Sequence, residues 1–192
     1  MKRGRSIRNW LLHTDPAPAP HVDVMTEPRD QLLACIPRLR RYARALVGER
    51  AGADDLVQDT VERGCARLAS WRGGSDMRAW LFSIMHNVHI DQIRRPSVST
   101  ESLNEETAMP AAPGSLAAGL EMRDMETALR QLPAEQREIL LLVALEEMRY
   151  DEVAHTLSIP VGTVMSRLSR AREKLRANME GRPYAAALKV VK

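Results

Sequence analysis

Aromatic residues are scarce: three tryptophans, three tyrosines and a single phenylalanine make up 4% of 192 residues. Strand-rich domains lean on aromatic and β-branched side chains, whereas Leu, Ala, Met and Arg are frequent here, so the composition favours helices. Cysteine is nearly absent. Cys35 and Cys65 show no CxxC or Cys/His ligand spacing, which argues against a disulfide framework or a zinc site and fits two reduced thiols. No apolar run approaches the roughly 18 residues of a membrane span. The basic start MKRGRSIRNWLLH carries only Trp10-Leu11-Leu12 as an apolar patch, too short for a signal-peptide core, so a cytoplasmic chain without membrane insertion is expected. P-loop, GxSxG, HExxH and dinucleotide fingerprints are all missing. Neither an enzyme nor a cofactor is expected. His86 and His89, three residues apart, lack an acidic or cysteine partner at ligand spacing, so no metal is expected either.

What is present is charge, unevenly spread. The chain as a whole carries +3, yet residues 153–192 hold eight basic and two acidic side chains, net +6, while residues 121–152 hold four and nine, net −5. The basic end points to a polyanionic partner; a merely solvated helix face is the rival reading of a charge run taken alone.

Breaks in composition divide the chain. Residues 1–26 include DPAPAPHVD, where alternating Pro and Ala build neither helix nor ladder, so a disordered extension is expected. A second break, RPSVSTESLNEETAMPAAPGSLAAG, spans residues 95–119 and reads as a flexible linker over 96–119. The expected architecture is all-α, with two small helical domains: an N-terminal bundle over 27–95 and a four-helix domain over 120–179, followed by a tail over 180–192. In the first, Leu32, Leu33, Ile36, Leu39, Ala43 and Leu46 keep helical spacing and Gly48 is a stop; helices over about 53–68 and from Asp76, an N-cap, to Arg95 follow. In the second, helices are expected over about 120–131, 134–146, 149–157 and 161–179, with Pro133 and Pro160 at helix starts.

The segment YDEVAHTLSIPVGTVMSRLSRAREKL has the logic of a helix-turn-helix: a short helix with Val153, Ala154 and Leu157 inward, a turn at SIPVG, then a longer basic helix. On a wheel of about 100° per residue, Val164, Leu168, Ala171 and Leu175 make the core stripe. Gly162, Ser166 and Ser169 lie opposite, with Thr163, Arg167, Arg170 and Lys174 on one flank. Small side chains let a backbone approach a groove floor, and arginines reach base edges or phosphates. The stretch LPAEQREILLLVALEEMRYDEVAHTLSIPVGTVMSRLSRAREKLR resembles the promoter-reading C-terminal domain of bacterial sigma factors, most closely the small extracytoplasmic-function type, and is also similar to the DNA-binding domain of many response regulators.

The N-terminal segment decides between these. In GADDLVQDTVERG, Asp54, Asp55 and Asp59 near a helix start suit the helix dipole, and a docking face for a basic partner is the other reading. In MRAWLFSIMHNVHIDQIRR, Leu81, Met85 and Val88 form a core stripe, while Trp80, Ser83, Asn87, Asp91 and Arg94 share another face, able to stack on, hydrogen-bond and neutralise a single strand. A buried Trp80 and an ion-paired Asp91 are the structural alternatives. DDLVQDT looks like the sigma-factor segment that holds core RNA polymerase, and WLFSIMHNVHIDQIRR is similar to the segment that captures the −10 promoter strand. The resemblance covers about residues 28–95 and 120–178. It departs from the family at Val61 (usually Phe), His86 (usually Arg) and Met165 (usually Lys or Arg), the last implying that one phosphate of the duplex goes without its cation.

The resemblance implies a sigma factor that binds core RNA polymerase through Asp55, Gln58 and Asp59, the −10 strand through Trp80, Asn87, Arg94 and Arg95, and the −35 duplex through Thr163, Ser166, Arg167 and Arg170. Arg172, Lys174 and Arg176 would add phosphate contacts. Its partners are then polymerase, promoter DNA and an anti-sigma factor. The alternatives are a helix-turn-helix regulator acting without polymerase, and a sigma-mimicking module that sequesters an anti-sigma protein.

Overall fold

A computed structural model of the chain describes residues 27–73, 75–94 and 116–181. The expected extension over 1–26, nearly all of the linker, the tail beyond Gly181, and Arg95 lie outside the described residues. Every regular element within them is helical. Three helices form the N-terminal group: α1 (Pro28–Val47), α2 (Arg50–Ala66) and α3 (Met77–Arg94), with a short 3₁₀ turn at Leu68–Ser70. Four form the C-terminal group: α4 (Leu116–Arg130), α5 (Ala134–Ala144), α6 (Tyr150–Thr156) and α7 (Val161–Met179).

Local chemistry sets the ends. Gly48 closes α1 in the left-handed region (φ 84°), its N–H donating to the Arg44 carbonyl, a conformation that costs glycine little. The start of α2 falls three residues before the expected residue 53 because the Glu49 carboxylate accepts from the Gly52 N–H at 3.2 Å. Asp76 caps α3 as expected, accepting from the Arg78 N–H at 2.9 Å. The end of α5 comes two residues early. Glu147 takes a positive φ of 54°, and the Met148 N–H turns back to the Leu142 carbonyl. Pro133 and Pro160 each precede the first turn of α5 and α7.

In the N-terminal group α1, α2 and α3 pack against one another. Leu32, Leu39, Leu46, Leu56, Leu81, Met85 and Val88 are fully buried, and the ring of Phe82 meets Tyr42 edge-on at 4.9 Å between centroids. Leu33, which keeps helical spacing with this stripe, is instead 48% exposed. In the C-terminal group α7 packs on α4, α5 and α6 through the expected stripe of Val164, Leu168, Ala171 and Leu175, all buried. The turn between α6 and α7 is held by the Ile159 N–H on the Ala154 carbonyl and passes through Ser158 at φ 54°. The two groups also pack on each other, α1 against α5 and α3 against α6, and their buried residues form one continuous apolar cluster.

A helix crossing fixes the role of Gly64. A Cβ there would stand 2.9 Å from the Leu81 Cδ2 and 3.3 Å from the Leu32 Cδ1. At Gly162, in the first turn of α7, a Cβ would meet nothing within 4 Å. Alanine gains up to about 1 kcal/mol of helix propensity over glycine, but overpacking costs about 1–3 kcal/mol. Gly64→Ala should therefore lower the urea midpoint by the equivalent of about 1 kcal/mol, and Gly162→Ala should leave it unchanged or raise it.

Candidate nucleic-acid interface

The face of α3 opposite its buried stripe carries the residues expected to capture a single strand. Asn87 is exposed, with its amide folded back onto the Ser83 carbonyl at 2.8 Å. Arg94 is exposed at the end of the helix. Trp80 is half-buried and packs against the apolar cluster. Asp91 is ion-paired to Arg63 at 3.0 Å, which ties α3 to α2 as the structural alternative required. Of the acidic tract, Asp55 and Gln58 point outward, while Asp59 is half-buried and accepts from the Gln92 amide at 3.2 Å.

On α7, Ser166 and Arg170 are exposed and Thr163 is half-buried. The Ser166 hydroxyl donates to the Thr163 carbonyl at 3.1 Å, a local bond easily exchanged for a partner outside the chain. Arg167 makes an ion pair with Glu135 at 2.8 Å, from the first turn of α5. Arg172 and Lys174 are half-buried and Arg176 is exposed. Met165, where the family usually has a basic residue, is 54% exposed. With Tyr150, Leu168, Ser169, Arg172, Glu173 and Arg176 it lines a groove of about 410 Å³.

Sequence reasoning missed the polar junction between the two groups. The Glu146 side chain has no solvent exposure. Its Oε1 accepts from the Arg41 guanidinium at 2.9 Å, and Arg38 stands 3.9 Å from its Oε2. Arg41 also donates to the Leu145 carbonyl at 3.1 Å, and Arg78 donates to the Glu146 carbonyl. A second pair crosses nearby: the His86 Nδ1 lies 2.8 Å from the Glu138 Oε1. His86, which stands where the family usually has arginine, thus contacts the C-terminal group. A third contact runs from the Arg130 guanidinium to the Gly48 carbonyl at 3.1 Å. No sequence signal announces these contacts, since their partners lie at least 52 positions apart.

Burial governs the titration of this junction. It pushes the Glu146 carboxyl up from its ordinary value, although Arg41, Arg38 and Arg78 pull the other way. Burial, then the Glu138 and Glu146 carboxylates, drives the Tyr42 phenol well above its usual range. Burial likewise lowers His89 below 6.5, with Arg137 and His86 adding to the effect against Glu138.

This is a two-module helical body in which each module presents one polar helix face, α3 and α7. A family model described as the sigma2 domain of PhyR matches residues 32–86, and one for sigma-70 region 4 matches residues 122–175. The ECF RNA polymerase sigma factor EcfG of Rhodopseudomonas palustris (strain TIE-1) is 39% identical over 151 residues, which cover 78% of this chain and 83% of that protein. Among solved structures, the sigma factor RpoE in complex with the anti-sigma factor NepR from Bartonella quintana matches with a TM-score of 0.66 and 31% identity, covering 79% of this chain and 96% of that one. CnrH in complex with the cytosolic domain of CnrY matches with a TM-score of 0.60 and 27% identity, over 80% and 88% of the two chains. The chain belongs to the ECF RNA polymerase sigma factors.

The direction at His89 fixes a pH dependence. Because the folded chain binds this proton more weakly than the unfolded chain, His89 contributes stability above about pH 6.5 that is lost as pH falls through that value. Thermal melts between about pH 7.5 and 5.5 should show a falling Tm, and His89→Gln should flatten that slope.

Proposed function

We propose that this chain directs promoter-specific transcription initiation by core RNA polymerase, with the work divided between its two modules. The N-terminal module, residues 27–95, would hold polymerase through Asp55, Gln58 and Asp59. Its α3 would take the unpaired −10 strand through Trp80, Asn87, Arg94 and Arg95. The C-terminal module, residues 120–179, would read the −35 duplex with Thr163, Ser166, Arg167 and Arg170, with Arg172, Lys174 and Arg176 on phosphates. The observation that carries this reading is the exposure of Asn87 and Arg94 on α3 together with Ser166 and Arg170 on α7, in a chain whose two halves match two sigma modules in order. Polymerase supplies the chemistry; this chain supplies recognition, in the cytoplasm. No described helix is long and apolar enough to cross a membrane. The solved relatives are bound by NepR and CnrY, and by extension an anti-sigma protein is a partner of this chain.

A specific observation favours a second reading, a sigma mimic: the N-terminal match is to the sigma2 domain of PhyR. Run-off transcription with purified core polymerase and a promoter library separates the two. Promoter-dependent product is the expected result, and its absence across the library would sink the sigma reading. Within it, Asn87→Ala should impair open-complex formation and leave polymerase binding intact. Arg170→Ala should weaken −35 duplex binding by about 1–3 kcal/mol, roughly 5- to 150-fold, in a fluorescence anisotropy titration.

A further inference from the structure

The junction between the modules is tight, but its central ion cluster is poorly matched. Three guanidiniums, from Arg38 and Arg41 on α1 and Arg78 on α3, converge on Glu146. Arg78 has a second acid, Asp76, at 3.1 Å. Arg78 thus bridges the Asp76 carboxylate and the Glu146 carbonyl, while Arg38 and Arg41 both face the single Glu146 carboxylate. The buried Glu146 Oε2 accepts no hydrogen bond, and the Arg38 nitrogen at 3.9 Å is too distant to supply one. An oxygen buried in this way loses its hydration without full replacement. The pocket thus holds an anion, and holds it imperfectly.

Geometry shows when that anion must leave. The −10 and −35 elements lie about 25 base pairs apart, roughly 85 Å along the duplex. A compact body of this size is roughly 35–40 Å across. The packed form therefore cannot lay α3 on one element while α7 reads the other. Resting on the function proposed above, promoter binding requires the modules to separate, which withdraws Glu146 from the three arginines. Arg78, buried on the face of α3 turned toward the C-terminal module and away from Trp80, is uncovered together with Arg38 and Arg41 by that separation. A guanidinium fork that fits a carboxylate fits a phosphate as well. A phosphodiester also brings two unesterified oxygens and stays ionised where burial raises a carboxyl's affinity for its proton.

We infer that Arg38, Arg41 and Arg78 form an anion site on the N-terminal module, filled by Glu146 in the closed chain and by a DNA backbone phosphate when the modules part. Glu146 is thus an internal competitor of DNA. Strand binding and opening are two sides of one exchange, and a ligand for the site shifts the population toward the open form.

The test uses the full chain, small-angle X-ray scattering and anisotropy titrations of a labelled oligothymidylate of about 20 nucleotides at several salt concentrations. That probe reads phosphate binding without base recognition. Glu146→Gln should enlarge the radius of gyration and tighten oligothymidylate binding by roughly 3- to 10-fold. Glu147→Gln, which removes the same charge from an exposed neighbour, should do neither. The double variant Arg38→Ala/Arg41→Ala should also enlarge the chain, but weaken oligothymidylate binding and reduce the salt slope by about 0.7 for each phosphate left without its arginine. Opposite effects on affinity from two variants that both open the chain are the signature of a shared site. Equal affinities across the variants, or tightening by both, would overturn the proposal, as would Glu147→Gln matching Glu146→Gln. If circular dichroism shows Glu146→Gln unfolded, the double arginine variant decides alone: an unchanged salt slope overturns the site. Failure of promoter-directed run-off with the crossed affinities intact would count against the sigma reading and not against the anion site.

Discussion

The Glu146 carboxylate lies beyond the reach of solvent, in a turn of one module, among arginines of the other. Removing a charge from water costs several kcal/mol even after relaxation, so such a group persists only where its surroundings hold it. Here they comprise the Arg41 hydrogen bond, the Arg38 ion pair and the bond from Arg78 to the same residue's carbonyl. The arrangement depends on the α5–α6 turn. Ending α5 at Ala144 and placing Glu147 at a positive φ aims Glu146 at α1 and α3 while Met148 enters the core. Tyr42 feels both Glu138 and Glu146 and stacks edge-on against Phe82, which links the polar junction to the apolar centre of the N-terminal module.

The faces of α3 and α7 proposed to meet DNA carry residues whose bonds are local and exchangeable, such as the Asn87 amide on Ser83 and the Ser166 hydroxyl on Thr163. Arg167 is held by Glu135, and exposed pairs of that kind contribute little, so a phosphate can displace the carboxylate. The closed packing is a different matter, because it combines buried apolar surface with three sets of polar links.

Much of the local structure is legible in the sequence. Periodicity locates every described helix, because a one-sided apolar stripe at 3.6-residue spacing has few other solutions. The core stripes on α3 and α7 can be read residue by residue and are buried as expected. A side chain or turn outside the periodic pattern moves two boundaries, Glu49 drawing α2 forward and the turn at Glu147 cutting α5 short, whereas α4 begins at Leu116, four residues into the expected linker. Leu33 shows the limit of periodicity, since an apolar residue at the rim of a stripe is buried only if a neighbouring helix reaches it.

The sequence by itself determined the all-helical class and the division into two modules, which follow from composition and its breaks, and the orientation of α7 and the face of α3 that carries Asn87, which follow from spacing along a single helix. Tertiary structure alone decided that Trp80 is half-buried, that Asp59 and Asp91 are partnered, that His86 reaches Glu138, and that Glu146 sits among Arg38, Arg41 and Arg78. These facts depend on which helices meet, and a pairing between residues more than a hundred positions apart leaves no periodic trace in the chain that makes it.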